Sequence, residues 1–142
     1  MTQKDKKLLL KDLCARLPYG LKIRFIAVKD NSKIVGEIEG IEQTGDVSFS
    51  YWSKAEKKYI IMYSCLYEDY IKPYLRPMSS MTEKEHCEYN SFSLGEDWIS
   101  NPYMSVPSFH VMDWLNEHHF DYRGLIEKGF ALKAPKRMYK ED

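Results

Sequence analysis

The chain has 142 residues, a length that predicts a single domain. Hydrophobic residues are 44% and charged residues 30%, which excludes a disordered polyelectrolyte and predicts a globular core. Lys plus Arg is 21 and Asp plus Glu is 21, so the whole chain lacks the cationic excess of a strong polyanion binder.

The first element is predicted to be a helix, within residues 1–20. Asp5 is its expected N-cap, and Leu10, Leu13, Cys14 and Leu17 fall at i, i+3, i+4 and i+7, with Leu9 widening the stripe. Pro18 stops it and Tyr19-Gly20 turns the chain. The period then changes from 3.6 to two. Leu21 to Val28 places Leu21, Ile23, Phe25 and Ala27 on one face. After the turn cluster Asp30-Asn31-Ser32, Lys33 to Ile41 alternates again, with Gly36 and Gly40 on one face as sharp bending requires. Val47 to Trp52 follows the Thr44-Gly45-Asp46 turn. Tyr59 to Leu66, nearly continuous in apolar character, follows a polar loop. A short fifth strand is expected within Tyr67 to Tyr74, ending by Pro73.

Short strands joined by tight turns predict an antiparallel meander, and strongly twisted meanders of this size tend to close. The predicted fold class is therefore α+β. An N-terminal helix precedes a small antiparallel barrel or curved sheet of four to five strands over residues 21–75, and helices follow over residues 76–133. In element order alone this resembles the Sm-like and SH3-like small barrels. No nucleotide-binding signature of the Sm family is matched, so that resemblance implies no activity.

Thr82 and Glu85 form a T-x-x-E capping box, starting a second helix through about Tyr89. Asn90 to Pro107, with Gly95, Pro102 and Pro107, reads as a long connection whose Trp98, Ile99, Tyr103 and Met104 pack on the surface. Ser108 is expected to cap a third helix from Phe109 to His118 or His119, with Val111, Trp114, Leu115 and His118 on one face. Asp121 is expected to cap a short fourth helix ending at Gly129. Trp114, Leu115, Leu125 and Ile126 would then form one cluster between antiparallel helices, with His118 and His119 at its rim. The tail over residues 134–142 is expected to be flexible.

The blocks KDLCARLPYG (Lys11 to Gly20), IKPYLRPMSSMTEKE (Ile71 to Glu85) and DWLNEHHFDYRGLIEKG (Asp113 to Gly129) cover about a third of the chain. They resemble a family of uncharacterised small proteins of gut anaerobic bacteria, their phages and mobile elements. The resemblance implies a prophage or mobile-element origin and supplies no catalytic residue.

Catalytic and metal patterns are thin. His86-Cys87 invites a Cys–His nucleophile, but adjacent helix residues diverge by about 100°, and the ordinary role of Cys87 is a semi-buried apolar residue. Cys87 with His110, His118 and His119 lacks metal-ligand spacing, and His110 and His118 lie about 12 Å apart along a helix. Glu37 and Glu39 face the same way on a strand, where acid–base work competes with simple solvation. No G-x-S-x-G, P-loop or dinucleotide fingerprint occurs. No cofactor, metal or enzymatic activity is therefore expected. Cysteines 14, 65 and 87 form no disulfide framework, no run is long enough to cross a bilayer, and only Leu8, Leu9 and Leu10 follow the basic start. A reducing cytoplasm is the expected compartment.

Aromatic residues are the positive signal, at 14% with 11 tyrosines. Tyr51, Trp52, Tyr59, Tyr63, Tyr67, Tyr70 and Tyr74 gather around the later strands, with Lys54, Lys57, Lys58, Lys72 and Arg76 nearby. The candidate ligand-binding face is Tyr51, Trp52, Lys54, Lys58, Tyr59, Tyr63 and Arg76. Such a face suits a protein interface or, with its cations, base stacking on single-stranded RNA or DNA; the same tyrosines also suit half-buried strands. The expected function is a non-enzymatic interaction or assembly module with a protein partner, a homo-oligomer included. A single-stranded nucleic-acid binder is the alternative.

Overall fold

A computed structural model of the chain describes residues 1–65, 70–93 and 109–139. Helix α1 spans Gln3–Arg16. Its N-cap is Thr2, and Asp5, the residue expected in that role, is instead the reciprocal partner of a capping box. Leu9 and Leu13 are the fully buried apolar residues of α1. Cys14 is exposed, and Asp12 and Arg16 take buried positions beside the leucines. A 3-10 turn, Leu17–Tyr19, carries Pro18 and delivers the chain to the sheet.

The strands are β1 (Lys22–Ile26), β2 (Lys33–Ile41), β3 (Asp46–Ser53), β4 (Lys58–Cys65), β5 (Ile71–Leu75) and β6 (Leu132–Lys133), in the order β4-β3-β2-β1-β5-β6. The α+β class and the meander of β1 to β4 agree with the sequence. The closed barrel and the count of four to five strands do not. Closure would need β4 to reach β5, but the far side of β5 is taken by β6, which runs parallel to it with Tyr74 opposite Leu132. A further parallel bridge joins Arg76 to Phe120. The result is an open, mixed, six-stranded sheet.

Pro73 lies inside β5 and does not end it. Ile26 donates its N–H to the Tyr70 carbonyl at 3.0 Å, and antiparallel pairs alternate between bonded and non-bonded. In that alternation Ile23 and Pro73 sit opposite each other at a non-bonded pair, where β1 asks proline for no donor.

One face of the sheet packs under α1. Leu9 and Leu13 meet Leu21, Ile23, Phe25, Ile38, Val47, Phe49, Ile71 and Leu75 there. Gly36 is required at one crossing of this face, because a Cβ on it would stand 2.6 Å from the Ser50 carbonyl oxygen and 3.0 Å from the Phe49 ring. The register shifts between Ile38 and Gly40, a bulge that bends β2 as the two glycines suggest.

Helix α2 (Glu83–Ser93) begins at the expected Thr82–Glu85 capping box. Helix α3 (Phe109–Glu117) ends in a Schellman motif: Phe120 N–H bonds Leu115 C=O at 3.0 Å, and His119 N–H bonds Asn116 C=O at 3.1 Å. Val111, Trp114, Leu115 and Phe120 make a second, smaller core with Tyr89 and Met81. Leu125 and Ile126 belong to the main core instead, so the single cluster expected from sequence is divided between two. The expected fourth helix is a run of turns. Gly124 has φ +68, which breaks the helical path, while Asp121 still caps the N–H groups of Leu125 and Ile126 at 2.8 and 2.9 Å. Tyr67, the connection containing Gly95, Trp98, Ile99, Tyr103 and Met104, and the Ser108 cap lie outside the described residues.

Candidate functional site

The outer face of the sheet, opposite α1, collects the even positions of β3 and the odd positions of β4. Trp52 stands opposite Tyr59, Ser50 opposite Ile61 and Ser48 opposite Tyr63. Trp52 and Tyr59 make an edge-on pair with centroids 5.2 Å apart. These side chains remain in solvent: Tyr59 is 71% exposed, Tyr63 66%, Ile61 58% and Trp52 52%. Val35 on β2 is exposed beside them. A groove of about 680 Å³ runs over this face between Trp52, Tyr59 and Ile61 on one side and Lys22 and Met138 on the other.

The candidate face read from sequence therefore holds at Trp52, Tyr59 and Tyr63 and separates elsewhere. Tyr51 turns to the opposite face and packs beside Phe49, with centroids 6.5 Å apart. Arg76 is buried at the other end of the sheet, where it grips Glu85 through two bonds of 2.8 and 2.9 Å. Lys58 pairs with Glu56 at 2.9 Å, and Lys54 sits exposed in the β3–β4 turn. Ile61 and Val35 were missed. The available signal was the apolar continuity of β4: a strand buried on both faces reads this way, and β4 is instead the last strand of the sheet.

The acidic residues of this face have separate partners. Glu37 is bound to Lys22 Nζ at 2.9 Å, and Glu39 accepts from the Ser50 hydroxyl at 2.6 Å. Glu37 is thus held by an ion pair and Glu39 by a hydroxyl.

A second, polar cleft of about 490 Å³ lies where α2, the end of α3 and the tail meet, lined by Tyr19, Arg76, Glu85, His118, His119 and Tyr139 among others. His119 was expected at a rim and is 3% exposed. It occupies the left-handed position of the Schellman motif, φ +58, where glycine is usual. Its ring stacks on Tyr139 at 3.9 Å. Burial, then the nearby Arg16 charge, push its pKa down to about 3, so it is neutral at pH 7. Tyr139 in turn accepts from the Lys22 N–H at 2.9 Å and donates to the Tyr74 carbonyl at 2.8 Å. The tail expected to be flexible is thus pinned at Tyr139. Glu85 is raised by burial, but its hydrogen bonds to Arg76 and Thr82 outweigh this and hold the carboxyl below its ordinary range. Among the described residues, the lining of this cleft includes no serine, threonine or cysteine.

His86 and Cys87 are both exposed on α2, so Cys87 is not semi-buried as expected. Among the described residues no group of three or more His, Cys, Asp or Glu converges as a metal site. No helix among them is long and apolar enough to cross a membrane. No family model, curated protein or solved structure matches the chain.

Proposed function

We propose that this chain is a non-enzymatic interaction module whose working surface is the outer face of β2 to β4 and whose partner is a protein. One observation carries the reading: four large residues, Trp52, Tyr59, Ile61 and Tyr63, are each more than half exposed and contiguous on two adjacent strands. Exposed apolar surface of this kind costs free energy unless a partner covers it, and aromatic residues are the side chains that interface centres favour. The charge around the groove supports protein over nucleic acid. Glu37 and Glu39 line it, while Lys58 and Arg76 are held by Glu56 and Glu85. A reducing compartment fits the exposed thiols of Cys14 and Cys87, and a prophage origin remains part of this proposal.

The test is photo-crosslinking from the face itself. A photoreactive residue replacing Tyr63 is expected to give a protein adduct of discrete mass in cells, while the same residue at exposed Lys7 on α1 gives none. A short single-stranded oligonucleotide at low salt is expected to leave Trp52 fluorescence unchanged. Salt-dependent quenching on a wild-type chain, lost in Tyr59→Ala, would move the assignment to single-stranded nucleic acid.

A further inference from the structure

Resting on the reading of this face as a protein-binding surface, we infer that its partner is a second copy of the same chain, joined through β4 in antiparallel register about a two-fold axis at Ile61. β4 ends the sheet, so among the described residues no strand pairs with its outer edge. An edge of eight residues is normally blunted by proline, by a bulge or by inward charges. β4 has no proline, its eight pairs with β3 run without a register shift, and its one charged residue is Lys58 at the first position. It carries the features of a strand meant to be paired.

The sequence of β4 complements itself. With Ile61 opposite Ile61 of the second copy, Tyr59 meets Tyr63, Ile60 meets Met62 and Lys58 meets Ser64. Outer-face residues then oppose outer-face residues, and no charge opposes a like charge. Tyr59 already stands edge-on to Trp52, so the register would build the series Trp52, Tyr59, Tyr63 across the seam, once on each side of the central isoleucines. Moving the axis by one residue, to Met62, would leave Ile61 against Tyr63, set Tyr59 against Cys65 instead of a second aromatic ring, and carry Lys58 past the paired stretch. A two-fold contact is isologous, so one self-complementary strand suffices to close it.

Cysteine crosslinking reads this register. In a chain carrying Cys14→Ser, Cys65→Ser and Cys87→Ser, the substitution Ile61→Cys places two thiols across the axis at a spacing antiparallel pairs allow. Mild oxidation with oxidised glutathione is expected to convert most of it to a covalent dimer. Tyr63→Cys alone and Lys7→Cys alone are expected to give at least tenfold less, whereas Tyr59→Cys mixed with Tyr63→Cys is expected to crosslink. Sedimentation velocity of the unmodified full chain is expected to show the 16.8 kDa species shifting to twice its mass with rising concentration, and Ile61→Lys to raise the dissociation constant at least tenfold. Equal crosslinking at positions 61, 63 and 7, or a monomer throughout with no Ile61→Cys dimer, overturns the inference. If the Tyr63 photo-adduct is then a different protein, the interaction surface stands and only the identity of its partner falls. If no protein adduct forms at all, both fall.

Discussion

The guanidinium of Arg16 donates from Nη2 to the Phe120 carbonyl at 2.7 Å, across 104 residues of sequence. The same group holds Asp12 through Nε and Nη2 at 2.8 and 3.1 Å, and Arg123 adds a third bond to Asp12 at 3.1 Å. Asp12 and Arg16 are both fully buried. The first helix is therefore bolted to the end of the helical segment by a charge network, with the leucines beside it packing on the sheet. That network fixes where His119 and Phe120 sit, and with them the edge of the polar cleft.

Asp12→Ala is expected to destabilise the fold by about 3–5 kcal/mol, because it leaves the buried Arg16 uncompensated. Urea unfolding followed by circular dichroism measures it. Arg123→Ala, which removes the more exposed arm, is expected to cost less than half as much. Equal losses would mean that Arg123, and not Arg16, is the principal partner of Asp12.

Much of the strand pattern was legible in sequence, and the reasons for the failures are specific. Alternation located β1 to β3, because a half-buried strand writes its burial in period two, and β4 showed as a nearly continuous apolar run after a polar loop. The Thr82–Glu85 box located α2, because capping is a local interaction. The stripe on α1 misled: Leu9 and Leu13 are buried, but Asp12 and Arg16 replace Cys14 beside them, and only a distant carbonyl, Phe120, makes a buried arginine tolerable. β6 has two residues and is defined by Leu75 and Tyr74, so no local pattern announces it. Of the candidate face, three residues held because strand parity placed Trp52, Tyr59 and Tyr63 together. Tyr51 was lost to that same parity, and Arg76 was lost because proximity in sequence to β5 says nothing about Glu85.

Gly36→Ala is expected to cost about 1–3 kcal/mol or more, as overpacking does in a close-packed core. The added methyl meets the Ser50 backbone at 2.6 Å, and a strand carbonyl cannot rotate away as a side chain can. Gly40→Ala meets only the Ser48 hydroxyl at 3.0 Å, so it serves as the milder comparison. Thermal melts of the two variants check the order; a Gly40→Ala loss equal to that of Gly36→Ala would contradict it.

Tyr139→Phe is expected to remove about 1–3 kcal/mol, since the Lys22 N–H and the Tyr74 carbonyl both lose their partner in a part-buried place. The ring and its stack on His119 remain, so the loss reports the hydroxyl alone. Limited proteolysis is expected to cut the tail after Lys136 or Arg137 faster in the variant. Unchanged cleavage would show that the stack by itself holds the tail.

His119 is expected to make the fold sensitive to acid below pH 6.5. Its folded pKa is about 3 against an ordinary 6.5, because burial and the Arg16 charge disfavour the imidazolium. Below pH 6.5 the unfolded chain binds a proton that the folded chain refuses, so stability is full above pH 6.5 and falls as the pH drops towards 3. The slope attributable to one such group is about 1.4 kcal/mol per pH unit. Glu85 acts in the same direction only lower down: its depressed carboxyl contributes above its ordinary value of 4.5 and is lost as pH falls through the folded value. The interval from pH 6 to pH 5 thus separates the two. His119→Asn keeps a residue that tolerates the left-handed backbone and removes the titrating ring. It is expected to cost stability at pH 7, through the lost stack on Tyr139, and to flatten the decline between pH 6 and pH 5. Urea midpoints at half-unit pH steps measure both. A parallel decline in the variant and the natural chain would place the acid sensitivity on another group, and His119 would then be a packing residue whose protonation the fold does not feel.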